Sequence, residues 1–505
     1  MERIKPSLGL AITILLVNAL IICIGILPER LYGFEQDAQI PLFIACIVSA
    51  ISGVFILKIK WRELEEGIFK AISVALQAMI ILMIIGSLIG SWIQSGVAPT
   101  LIYYGLELLT PQYFLLAALL ICCIVSLTTG SSWSTSGTVG IALMGVAAGL
   151  NIPPHIAAGF IVSGAYFGDK MSPLSDTTLL APAVVGSELF SHIRAMCWTT
   201  LPALVIVAGL AVFFGNDYAS GELDASKIVV IQQLMKSEFT ISWICFIPPL
   251  LVLTCATMKI PAIPGIVLGI FSAVAISISN GIEIGSVIGV LYDGYAPGLI
   301  SEIGNAESTE VLLGLTQGTA LEGTTSSYAL IKEMGEMLSN LFSRGGMDSM
   351  MSIIALIMMA LSLGGVLEAC GYLEVIINKL LESVKTAFGL VASVMVSCVF
   401  ANAFLADQYL SLVVPGRMFK GAFEKSEFNG RKMAPVMLSR TIEDSGTMTS
   451  VLIPWNTCGA YNAGVLGVST FAYAPYAFLN YLVMIVALII TKLNIGMKWQ
   501  DEEGK

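Results

Sequence analysis

Three charged side chains fall within the stretch "GDKMSPLSDTT", residues 168–178: Asp169, Lys170 and Asp176, with Pro173 among them. No Asp, Glu, Lys or Arg precedes them as far back as Glu107. An ionised side chain at the centre of a bilayer costs about 2.5–3.5 kcal/mol on insertion scales, so charges in apolar surroundings mark ion or substrate pathways. Pro173 removes a backbone donor and disfavours helix at Ser172. A helix broken there bares carbonyls on one side and amide N–H groups on the other. The first end attracts cations and the second anions. Carboxylates beside bare carbonyls offer the hard oxygen shell that Na+ would take, by analogy with other hard cations. A desolvated carboxylate is also a proton carrier.

Three more polar clusters interrupt apolar sequence. "SLTTGSSWSTSG", residues 126–137, joins two apolar stretches that are short for a full crossing. "ANAFLADQYLS", residues 401–411, carries Asn402 and Asp407. Both read as tips of re-entrant hairpins, because non-helical backbone at membrane depth survives only inside protein or beside a wet cavity. "SRTIEDSGTMTSVLIPWN", residues 439–456, holds Arg440, Glu443, Asp444 and Asn456, and Gly446 weakens its helix. Asp176 and Asp407 have no basic neighbour in sequence and are the expected Na+ positions, with Asp169 and Asp444 as further cation-binding candidates. The candidates for an organic substrate are Ser132, Ser134, Thr135, Lys170, Asn402, Arg440, Glu443 and Asn456. Arg440 could clamp a carboxylate bidentately. Plainer readings stand beside these. The serines suit close helix packing, Lys170 and Arg440 suit structural ion pairs, Glu368 suits an interfacial position, and Trp133 and Trp455 suit packing. Neighbouring residues on a helix point apart, so Asp169 is expected to pair with Arg440 rather than Lys170.

These clusters must be held by membrane helices. The chain has 505 residues, 56% hydrophobic and 12% charged, against about 25% charged in soluble domains. Apolar runs at 7–27, 40–57, 71–93, 195–214, 350–367 and 470–493 each suffice to cross the hydrocarbon core. The first lacks a cleavage pattern and is read as a retained helix. The ten cysteines are scattered, with neither disulfide nor metal spacing, and two histidines are too few for a histidine metal cluster. A shift of 275 residues lays 87–169 on 362–444 with 14 of 83 positions identical, Gly96/Gly371 and Asp169/Asp444 among them. Under the positive-inside rule, Lys58, Lys60, Arg62 and Lys70 are cytoplasmic, as is the basic stretch 417–432. The uncharged stretch 148–155, which matches 417–432 after the shift, is external. The predicted fold is therefore an all-α polytopic membrane protein of two inverted-topology repeats. Each has about five transmembrane helices plus a re-entrant hairpin, with broken helices at the midplane. The expected divisions are 1–215 for the first repeat, 216–238 for a linker, and 239–505 for the second repeat with an external insertion at 280–346. Both termini are expected in the cytoplasm, Arg3 and Lys505 being among the residues that place them there. The segment "LEGTTSSYALIKEMGEMLSNLF" in the insertion predicts an amphipathic helix.

The chain lacks the GxSxG, HExxH and Walker patterns, which argues against hydrolase chemistry and an ATP-driven pump. "GSSWSTSGTVG" followed by "IAAGFIVSGAYFGDKMSPLSDTTLLAPA" resembles the NhaC-type Na+/H+ antiporter family of the ion transporter superfamily. "NAFLADQYLSLVVPGRMF" and "LSRTIEDSGTMTSVLIPWNTCGAYNAGVLGV" are similar to its second-half motifs. The resemblance implies a bacterial inner-membrane secondary transporter, with Asp169, Ser172, Asp176 and Thr177 in the transport site. It also implies no enzyme activity and no cofactor beyond transported or coupling Na+ and H+. The partners implied are the lipid bilayer and small solutes, with no nucleic acid and with homo-oligomerisation left open. Such relatives exchange Na+ for H+, exchange malate and lactate, or carry amino acids. Na+/H+ exchange is the expected activity, and coupled transport of an organic acid or amino acid is the alternative.

Overall fold

The computed structural model describes residues 4–26, 38–219, 225–258, 260–322, 326–382, 384–428 and 430–500. Arg3 and Lys505, which entered the charge argument, lie outside these. The chain is a mostly helical, polytopic membrane protein. Among the described residues, seven helices are long and apolar enough to cross a membrane, or up to nine if two bent pairs each count as one span. The pairs bend by 94° near residue 240 and by 50° near residue 477.

Helix ends follow the 275-residue shift closely. Trp61–Gln94 and Met351–Cys370 end at Gly96 and Gly371, both left-handed with φ of 83° and 75°. Only glycine adopts that conformation without steric cost. Pro111–Thr129 and Ala387–Phe404 coincide to within one residue after the shift. Past the polar interruptions the offset becomes 281. Asp176–Val185 then matches Thr457–Leu466, and both end at left-handed glycines, Gly186 and Gly467. The second half thus holds six more residues at its interruption.

Leu8–Ile26, Gln39–Phe55 and Met351–Cys370 share one apolar core. Lys70 reaches Glu368 at 2.8 Å on an exposed edge of it. Ala225–Glu238 lies against Tyr328–Phe342, the amphipathic helix expected in the insertion, which buries Ile331, Met334, Leu338 and Phe342. The residues that position the site are small. In Pro154–Met171, a Cβ on Gly164 would stand 2.4 Å from the Leu119 carbonyl oxygen. One on Gly168 would stand 2.2 Å from the Leu127 nitrogen. These absences of side chain let Pro154–Met171 press against Pro111–Thr129, backbone to backbone.

Candidate functional site

Pro154–Met171 stops where the sequence says it must. Ser172 is extended (φ −78°, ψ 130°), as a residue before proline prefers. The Thr178 hydroxyl, on the helix that resumes at Asp176, lies 2.9 Å from the Asp169 carbonyl and 2.8 Å from that of Lys170. These are carbonyls that a helix end leaves unpaired. The Ser172 hydroxyl donates to the Leu127 carbonyl at 2.8 Å, tying the break to the neighbouring helix. That helix ends at Gly130, left-handed at φ 69°, where a Cβ would come within 2.7 Å of Leu174. The glycine therefore brings 131–134 against 169–176.

The second half does the same with different residues. Ala406 takes a left-handed φ of 57°, which strains a residue with a Cβ. Its carbonyl accepts the Thr457 N–H at 2.9 Å, joining tip to interruption. Asp407 caps Gln408–Lys425: its Oδ1 accepts the N–H groups of Tyr409 at 2.9 Å and Leu410 at 3.1 Å. Its Oδ2 has only a long contact, 3.5 Å, from the Thr457 hydroxyl.

The two constructions meet in one cavity of about 970 Å³. Of the residues singled out in the sequence, Ser132, Ser134, Asp169, Asp176, Thr177 and Asp407 line it. Asp169 is 7% exposed and Asp407 2%, whereas Asp176 stands open to the cavity. The Ser132 hydroxyl donates to Asp169 Oδ2 and that of Ser175 to Oδ1, both at 2.6 Å. No Lys or Arg lines the cavity among the described residues. Nor do three or more His, Cys, Asp or Glu side chains converge there as a ready metal shell. Trp133 also lines the cavity and stacks on Tyr461 with ring centroids 4.1 Å apart. Trp455 lies outside it and donates to the Ala403 carbonyl at 2.6 Å.

The remaining candidates lie behind the wall. Lys170 and Arg440 are fully buried. Lys170 Nζ bonds Asp444 Oδ1 at 2.5 Å, and Thr199 donates to the same oxygen at 2.8 Å. Arg440 Nε is 3.7 Å from Asp444 Oδ2. The expected pair of Asp169 with Arg440 does not form. Lys170 crosses to Asp444 instead, because two hydroxyls already occupy Asp169 and because successive helical side chains diverge, sending Lys170 away from the cavity. The interruption expected around Gly446 also lies elsewhere. The chain stays helical to Ser450, with a wider π turn at Glu443–Thr447, and opens at 451–456, which contains Pro454. Gly446 permits packing rather than a break: a Cβ there would stand 2.8 Å from Leu412. Asn402 donates to the Gly446 carbonyl at 2.7 Å and to the Thr449 hydroxyl at 3.0 Å. Asn456 bonds Asn402 in turn and caps Thr457–Leu466. Thr135 donates to the Ser131 carbonyl within its own turn.

Sequence reasoning passed over Ser131, Gln408, Tyr409, Thr457 and Cys458, which also line the cavity. Gln408 and Tyr409 sit inside a cluster already quoted, so adjacency alone could have raised them. Thr199, in Leu189–Ala219, carries no local signal.

The Na+/H+ antiporter family model matches residues 164–320 and 298–495. The chain is 34% identical over 499 residues to the Na+/H+ antiporter NhaC of Alkalihalophilus pseudofirmus, covering 98% of each chain. It is 34% identical to the malate-2H+/Na+-lactate antiporter of Bacillus subtilis, with 93% of each chain covered. It is 34% identical to the arginine/ornithine antiporter ArcD of Halobacterium salinarum, with 99% of this chain and 94% of that one covered. With full-length similarity added to the breaks and cavity described above, the chain belongs to the Na+/H+ antiporter family.

Proposed function

We propose that this protein is a secondary Na+/H+ antiporter, in which Na+ and H+ compete for the cavity carboxylates Asp176 and Asp407. The observation that carries the reading is three carboxylates, Asp169, Asp176 and Asp407, lining one cavity with no basic side chain beside them among the described residues. Unpaired carboxylates in a membrane protein are costly unless a cation or proton neutralises them. Hydroxyls of Ser132, Thr177 and Thr457 line the same cavity and add oxygen donors of the kind a hard cation takes.

The two halves supply the same chemistry with the groups exchanged. The 275-residue shift sets Ser132 against Asp407, and the 281-residue offset sets Asp176 against Thr457. At these two matched positions each half thus supplies one hydroxyl and one carboxylate, on opposite sides of the tip-to-interruption contact. Such matched pairs suit two inverted repeats rocking about a central site. In this reading the protein lies in a bacterial inner membrane with its basic loops, and both termini, on the cytoplasmic side.

The volume of the cavity favours a second reading. About 970 Å³ far exceeds one cation and matches sites for small organic ligands. Lys170 and Arg440 face Asp444, so the carboxylate clamp expected of them is not part of that reading. An acidic, basic-free lining favours a solute carrying an amine over a simple organic acid.

Purified protein in liposomes with a trapped pH dye tests the antiport reading. An imposed Na+ gradient is expected to move protons the opposite way, and choline is expected not to. No proton movement with Na+ refutes the reading. A thermal-shift screen of amines, amino acids and carboxylates, with and without Na+, tests the second.

A further inference from the structure

The cavity opens at the end where Val74, Gln77 and Leu179 line it and are exposed. At its other end three elements run on past it to a second, small void. On Trp61–Gln94 the cavity is met between Val74 and Ile81, and the void at Ile89 and Ile93. On the segment 132–149 the cavity is met at Ser132, Trp133 and Ser134, and the void at Ile141 and Met144. On Thr457–Leu466 the cavity is met at Thr457 and Cys458, and the void at Val465. The void holds about 20 Å³, room for a single water.

The residues between cavity and void, one on each element, meet at a point. Ile85 and Tyr461 are fully buried there. A Cβ on Gly137 would stand 2.7 Å from the Tyr461 hydroxyl oxygen and 3.1 Å from Ile85 Cδ1. Tyr461 is held in place twice: its ring stacks on Trp133, and its hydroxyl donates to the Trp133 carbonyl at 2.6 Å. Beyond the void, the stretch 344–347 closes the far end. Arg344 lines the void and donates to the Leu466 carbonyl at 3.4 Å. That carbonyl belongs to the C-terminal turn of Thr457–Leu466, where a cation is favoured. Gly467 makes room for the guanidinium, since a Cβ there would stand 2.4 Å from Arg344 Nη1. Backbone bonds fix the stretch. The Gly346 N–H donates to the Gly86 carbonyl at 2.7 Å, that of Met347 to Leu291 at 3.0 Å, and that of Tyr295 to Arg344 at 3.0 Å.

We propose that these layers are a second, closed entrance to the cavity, with Tyr461 as its plug and Arg344 as the latch that holds it shut. The proposal rests on the antiport reading, because a carrier must expose one site to each face of the membrane in turn. It adds the route by which the far face reaches that site. With the basic loops inside, as proposed above, the open end faces the cytoplasm and Arg344 faces the outside. Opening requires Thr457–Leu466 to swing away from 132–149, which breaks the Tyr461 stack and the hydrogen bonds of Tyr461 and Arg344. The helix is suited to such a swing. The non-helical stretch 451–456 precedes it, and left-handed Gly467 follows it. A hinge needs a few residues at element ends that absorb the change in backbone angle. The swing also reaches the site, since the Thr457 hydroxyl at the start of the helix lies 3.5 Å from Asp407 Oδ2.

The test is the rate at which a membrane-impermeant maleimide labels a thiol on the cavity wall from each face. Ala78→Cys supplies the thiol, at a half-buried residue that lines the cavity. Right-side-out and inverted vesicles present the two faces, and peptide mass mapping separates this thiol from the ten native cysteines. Ala78→Cys alone is expected to react faster from the cytoplasmic face than from outside. Adding Arg344→Gln is expected to raise the outside rate by about tenfold, the equilibrium worth of one hydrogen bond from a charged group. Tyr461→Ala is expected to raise the outside rate further. Tyr461→Phe, which keeps the ring and loses only the bond to the Trp133 carbonyl, is expected to raise it less than Tyr461→Ala does. Equal rates from both faces in Ala78→Cys alone, or a faster rate from outside, overturn the proposal. So does an outside rate that neither Arg344→Gln nor Tyr461→Ala raises. Should Arg344→Gln fail to fold, the Tyr461→Ala result decides alone. Labelling requires no Na+ gradient and no proton movement, so absence of exchange in the liposomes defeats the antiport reading by a separate measurement.

Discussion

Asp407 makes two kinds of interaction that substitution can separate. One oxygen accepts two backbone N–H groups at the start of Gln408–Lys425, and the other faces the cavity with a single 3.5 Å contact. Asn is about as good a helix cap as Asp, and Ala costs about 1 kcal/mol in its place, up to about 2. Asp407 is only 2% exposed, so in Ala the two N–H groups lose their acceptor where water reaches them poorly. The upper end, about 2 kcal/mol, is therefore expected for Asp407→Ala. Asp407→Asn forfeits about 0.3–1 kcal/mol of attraction between a carboxylate and a helix N-terminus. It also removes the cost of an ion in the membrane, about 2.5–3.5 kcal/mol on insertion scales. The expected order of stability in thermal unfolding without Na+ is Asn at or above wild type, then Ala. In everted vesicles both variants are expected to lose Na+-dependent proton movement. If Asn exchanges like wild type, Asp407 is only a cap; if Asn unfolds as early as Ala, the capping argument is wrong.

Asp176→Asn is expected to abolish exchange while changing stability by no more than the helix-terminus term, about 0.3–1 kcal/mol, because the side chain is open to the cavity; vesicle exchange and thermal unfolding check both halves. Asp444→Asn removes the carboxylate shared by Lys170 and Arg440 and is expected to cost about 3–5 kcal/mol, read as a large fall in unfolding temperature or loss of monodisperse protein. Gly168→Ala places a Cβ 2.2 Å from the Leu127 nitrogen, and size-exclusion chromatography is expected to show little folded protein; a normal profile disproves the close contact.

Much of this architecture is legible in one dimension because the membrane imposes it. Helices that must be about 20 apolar residues long announce themselves, and a polar interruption stands out against them. So Asp169, Asp176 and Asp407 are found in the sequence, and the structure places all three around one cavity. The positive-φ pair Gly96 and Gly371 and the helix pair Pro111–Thr129 and Ala387–Phe404 likewise fall where the 275-residue shift puts them. What escapes is decided by tertiary contact. Gly446 looks the same in sequence whether it breaks a helix or admits Leu412. The Lys170–Asp444 pair spans 274 positions and depends on which way one helix is rotated. The six extra residues at the second interruption spoil any fixed shift beyond it, which is why Asp176 falls on Val451 in the sequence but on Thr457 in the helix register.

The charges of this protein divide by what they face. Lys170 and Arg440 both turn to Asp444, out of reach of the cavity, and removing that shared carboxylate leaves buried charge that nothing compensates. Asp176 and the free oxygen of Asp407 face the cavity with no such partner, and their cost falls only when a mobile cation or proton arrives. The same desolvation that makes the first group structural makes the second responsive.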